Sequence, residues 1–117
     1  MAQYDVVRNP EGSGYLLDVQ SDLLDGLTTR LVVPLMPQTQ APKPAARLNP
    51  IVKIAEEPHV MVTQFMAAVP ERLLTSHVKS AAAMRDEITA AIDMLTHGFS
   101  RHARQYVIPL HSDQFSR

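Results

Sequence analysis

The chain has 117 residues, 45% of them apolar, with 11 basic and 12 acidic side chains and a net charge of −1. That length suits one domain, and the apolar share excludes wholesale disorder. The balanced charge argues against direct nucleic-acid binding, and the lack of cysteine excludes disulfides, thiolate metal sites and a cysteine nucleophile.

Residues 3–8, QYDVVR, read as a first strand. Asn9-Pro10 and Glu11-Gly12-Ser13-Gly14 are turn chemistry. Residues 15–20 form a second strand in which Tyr15, Leu17 and Val19 alternate with Leu16, Asp18 and Gln20. The pattern then changes. Ser21, Asp22 and Asp25 surround two adjacent leucines, Leu23 and Leu24, which cannot easily point the same way. At least one is expected to be exposed or held by a partner; the simpler alternative is that one of them plugs the barrel end. Asp25-Gly26 marks a turn.

TRLVVPL, 29–35, reads as a third strand. The unbroken run Leu31-Val32-Val33 predicts cover on both faces, and Pro34 suits a strand end or a sheet edge. Residues 36–50 hold Pro37, Pro42, Pro44 and Pro50, which exclude helix and leave an extended excursion, with a short strand pair as one form it could take. IVKI (51–54) and HVMVTQFM (59–66) read as strands joined by Ala55-Glu56-Glu57-Pro58, and Val69-Pro70 ends the run.

Residues 80–98 predict a long helix with Ser80 as N-cap and Gly98 just past its end. At 100° per residue Ala81, Met84, Ile88, Ala91, Ile92 and Leu95 share the core face. Asp86, Ala90, Asp93 and His97 lie opposite, with Asp93 and His97 one turn apart as a surface pair. Strands first and one helix last make the fold mainly β. Further on, YVIPL (106–110) echoes LVVPL (31–35). Residues 100–117 are expected to be an extension: a poorly ordered end, residues appended for expression, a segment ordered on binding, or an added edge strand.

The chemistry of an enzyme is hard to find. The histidines 59, 77, 97, 102 and 111 include no i, i+4 pair for a metal. Asp18, Asp22 and Asp25 match no calcium loop and suit turn capping better. There is no phosphate loop, nucleophile elbow or metalloprotease helix motif. The expectation is therefore a binding protein with no catalytic residues, metal or cofactor. No apolar run reaches the roughly 20 residues that span a bilayer. The opening MAQYDVVRNP lacks a signal-peptide pattern, so a cytoplasmic location without membrane contact is expected.

LDVQSDLLD followed by TRLVVPL, then MVTQFMAAVP, then RDEITAAIDMLTHGF, resembles the CcdB family of toxins from type II toxin–antitoxin modules, which poison DNA gyrase. The three segments stand in family order and at near-family spacing. The resemblance implies a toxin domain over 1–99: a small antiparallel β-barrel with a β-wing and one C-terminal helix, forming a homodimer. It implies binding to the gyrase A subunit, trapping of the gyrase–cleaved DNA complex without catalysis, and neutralisation by a cognate CcdA-type antitoxin. Carried over, the gyrase-binding residues are Leu23, Leu24, Asp93, His97, Gly98 and Phe99. Two departures stand out. The best-known member has Asn and Trp where this chain has Asp93 and His97, and family chains normally end at the pair matched by Gly98-Phe99, whereas here 18 residues follow Phe99. The alternative is a relative that keeps the fold and the antitoxin but no longer inhibits gyrase.

Overall fold

The computed structural model describes residues 1–98; Phe99 and the expected extension 100–117 lie outside them. The strands are β1 (Asp5–Arg8), β2 (Tyr15–Asp18), β3 (Thr29–Pro37), β4 (Ile51–Ile54), β5 (Glu57–Met61), β6 (Ala67–Pro70) and β7 (His77–Ser80), and one helix follows, α1 (Arg85–Thr96). All strand pairings are antiparallel, in the order β4-β5-β3-β2-β1-β7, with β6 beside β3. The fold is mainly β, a curled half-barrel sheet with a helix at its C-terminal end, as expected.

Val6 and Val7 show why the sheet needs two covers. Both are fully buried, and successive strand side chains face opposite ways. On one face Val6, Leu17, Val33 and Leu35 pack with Val52, Ile54 and Met61 of β4 and β5 and with Ala81, Ile88 and Ala91. On the other, Val7, Leu16 and Val32 pack with Leu74. The apolar run in β3 is thus covered on both sides.

β3 organises the sheet. One edge pairs with β2 from Val32 to Leu35. The other is shared: Thr29 to Val32 pair with β6, and Leu35 to Pro37 pair with β5. Pro34 sits at the handover, where it has no N–H to give and its carbonyl accepts from Val62 N at 2.9 Å. Between β5 and β6 the chain makes a short 3-10 turn, Thr63–Phe65. The expected continuous strand 59–66 is therefore wrong: it breaks at Met61, and a new strand starts at Ala67. β7 was not expected either. All four of its residues are exposed, so no burial pattern announces it.

Two further expectations need correction. Glu57 and Pro58 lie in β5 rather than in a loop. The turn between β4 and β5 is only Ala55-Glu56, because Ile54 pairs with Glu57. Both turn residues have positive φ, 53° and 69°, the geometry that normally calls for Asn-Gly. Glu56→Gly is expected to stabilise the domain by about 1 kcal/mol, read as a raised melting temperature. Of the expected excursion 36–50, Met36 and Pro37 belong to β3, and 38–50 contains no strand, so the short strand pair is absent there. It is pinned by buried Asn49, whose Nδ2 donates to the Met61 carbonyl and to Gln64 Oε1, each at 2.9 Å. At Gly14, φ is 89° and a Cβ would stand 2.5 Å from the Leu35 carbonyl oxygen, so the β1–β2 turn requires glycine.

The helix also starts later than expected. Ser80 Oγ accepts from Ala82 N at 3.2 Å, but this opens a 3-10 turn, Ala82–Met84, and α1 begins only at Arg85. Ala81, Ile88 and Ala91 are buried as expected, whereas Leu95 is 40% exposed and belongs to the solvent-facing last turn.

Candidate partner-binding site

Residues 19–28 connect β2 to β3. Ser21 caps a 3-10 turn, Asp22–Leu24, its Oγ accepting from Leu23 N at 3.1 Å. The tight turn sends successive side chains outward in different directions, so both leucines cannot reach the core. Leu23 is 92% exposed and Leu24 49%. Neither plugs the barrel. Leu27, just past Gly26, is also 49% exposed. The sequence reading does not single it out beside the adjacent pair; an apolar residue straight after a turn glycine is the available signal.

Beneath the loop lies a buried ion pair. Asp18 and Arg30 are both fully buried, and Arg30 Nε donates to Asp18 Oδ2 at 2.8 Å. Arg30 Nη2 is 2.7 Å from the same oxygen. Neither Nη is in line for a hydrogen bond among the described residues. Burial pushes the Asp18 carboxyl above its ordinary value, against the downward pull of the Gln20 N–H and the Arg30 guanidinium. Asp18 Oδ1 accepts from Gln20 N at 2.9 Å. The three aspartates therefore do three separate things. Asp18 neutralises Arg30, Asp22 Oδ1 accepts from Gln3 N at 2.8 Å, and Asp25 is exposed. Among the described residues no cluster of three His, Asp or Glu side chains could hold a metal.

The second group of expected site residues stands at the end of α1. Gly98 has φ 60°, and its N–H reaches the carbonyls of Asp93 and Met94 at 3.1 Å, closing the helix as expected of a C′ glycine. His97 is exposed and Asp93 half-buried. Their side chains form no ion pair; the only bond between the two residues runs from His97 N to the Asp93 carbonyl. Gly98→Arg forces a β-carbon into the left-handed region. It is expected to cost about 1 kcal/mol of stability, seen as a lowered melting temperature, with Gly98→Asn as the milder control. No hydrogen bond among the described residues joins the leucine loop to the helix end.

A family model described as CcdB protein matches residues 3–98. The chain belongs to the CcdB family. Membership places it among the toxins of toxin–antitoxin modules. Among solved structures, this CcdB-family chain is similar to an endoribonuclease in complex with its cognate antitoxin from a mycobacterial species. The identity is 12% and the TM-score 0.64, over 80% of this chain and 92% of that one. At that identity the likeness shows the fold alone. Among the described residues no helix is long and apolar enough to cross a membrane.

The CcdB-family sheet carries a second apolar feature on the face away from α1. Leu16, Val32, Pro34, Phe65, Val69 and Leu74 line a hollow of about 210 Å³. Phe65 at its rim is 51% exposed.

Proposed function

We propose that this protein binds the DNA gyrase A subunit as a homodimer and traps gyrase on cleaved DNA, with no bond made or broken by its own groups. A cognate antitoxin neutralises it. The observation that carries the reading is Leu23, an almost fully exposed leucine on a hydrogen-bonded turn, next to half-exposed Leu24. A folded chain gains nothing by holding such a side chain in water, whereas a partner that buries it gains affinity. Asp93, His97 and Gly98 complete the proposed contact at the helix end, and Phe99 is carried over with them on the resemblance alone. The antitoxin is supported by the neighbour's own complex with one.

The alternative, a relative that binds antitoxin but not gyrase, is favoured by one feature. His97 offers less area than the Trp at that place in the best-known member. Expressing the full chain and a chain ending at Phe99 separates the readings. Growth arrest with gyrase-dependent DNA breaks in both supports gyrase poisoning. Arrest in the shortened chain alone makes the extension a block. No arrest in either, with antitoxin binding intact, favours the alternative. RNA cleavage by the purified protein would overturn the non-catalytic reading.

A further inference from the structure

Leu23 makes almost no contact that could order it, so whatever fixes the loop must act through the backbone. Gln20 is placed to do so. It is buried, and its side chain bridges the loop: Nε2 donates to the Leu24 carbonyl at 3.1 Å, and Oε1 accepts from Leu31 N at 3.0 Å. Its own N–H is held by Asp18 Oδ1, and Asp18 is held by Arg30. A continuous line of hydrogen bonds therefore runs from a fully buried guanidinium to the backbone of the leucine turn. The Leu24 carbonyl also accepts from Leu27 N at 3.2 Å, so one oxygen ties the turn to both Gln20 and the third exposed leucine. A second hold comes from the N-terminal segment. Gln3 N donates to Asp22 Oδ1, and Gln3 Nε2 donates to the Val19 carbonyl at 3.2 Å. The next residue, Tyr4, has φ 74°, a strained conformation for a bulky side chain, at the point where this segment meets the loop.

We propose that Gln20 is a positioning residue that presents Leu23 and Leu24, and with them Leu27, in the geometry the partner buries. The proposal rests on the gyrase reading and names the device that prepares that contact. A loop ordered in advance loses less freedom on binding, and the saving appears as affinity. Only a side chain with a donor and an acceptor at glutamine's reach can serve both Leu24 and Leu31. Gln20→Met keeps length and removes both bonds. Gln20→Glu keeps the acceptor for Leu31 N and removes the donor to Leu24.

The test combines amide hydrogen exchange with binding of the full-length chain to a gyrase A fragment. In both variants, exchange at Leu23, Leu24 and Leu27 is expected to rise about tenfold, while Val33 and Ile88 exchange as in the wild type. Dissociation constants are expected to rise about tenfold. Unchanged loop exchange overturns the proposal. So does a parallel rise at Val33 and Ile88, which marks a plain structural role, and so does a loosened loop with unaltered gyrase affinity. If the wild type does not bind the fragment, the gyrase reading fails; the exchange comparison still decides whether Gln20 holds the loop.

Discussion

Leu24→Asp is expected to weaken binding to a gyrase A fragment by about a hundredfold or more while leaving the fold in place. Burying a leucine side chain contributes about 1.5–3 kcal/mol, and each 1.4 kcal/mol is tenfold in affinity. The aspartate loses that term and brings an unpaired charge into a desolvated contact. It also joins Asp22 and Asp25 on one short loop, where like charges oppose burial. Leu24 is half-exposed in the free chain, so its own stability loss stays near 1 kcal/mol. Leu23→Asp is the cleaner control: at 92% exposure it should leave the melting temperature unmoved and lose affinity just as far. Calorimetry of both variants with the fragment decides the matter. Wild-type affinity in the pair would show that the loop takes no part.

Ile88→Asp should do the opposite and prevent stable folding. Ile88 is fully buried on the inner face of α1, in the cluster with Val6, Leu17 and Val33. Truncating such a side chain alone costs about 2–5 kcal/mol. The carboxylate finds no cation in that cluster, so it must either be buried charged or take up a proton, and both are unfavourable. Domains of this size have only about 5–15 kcal/mol in all. Circular dichroism should show lost structure at room temperature, whereas Ile88→Val should fold and cost about 1 kcal/mol. A cooperative melt near that of the wild type in Ile88→Asp would mean that the helix face is not core.

These two variants fall where the sequence was most readable. The alternation from Tyr15 to Val19, ending in a polar bend with two bare leucines, marked both the strand and the exposed pair. Gly98 marked the helix end because only a residue tolerant of positive φ stops a helix there. The helix start was harder. A serine directly before an alanine run serves a 3-10 turn as well as an α-helix, and Ser80 serves the former. β7 was unreadable because none of its residues is buried. β6 was absorbed into the preceding run because the handover at Pro34 depends on pairing across the sheet, which no local pattern carries. The Asp18–Arg30 pair was hidden for a similar reason. Arginine is ordinarily exposed, and only the folded sheet shows it fully buried. Gln20 read simply as the polar side of a strand, because its role depends on Leu24 and Leu31 being brought within reach together.

The near-complete exposure of Leu23 has an evolutionary corollary. A side chain that contributes nothing to folding can be exchanged without touching stability. If the loop is the proposed contact, selection can therefore retune its recognition while the scaffold underneath stays constant. Target choice in such a molecule is free to drift or be sharpened one tip residue at a time.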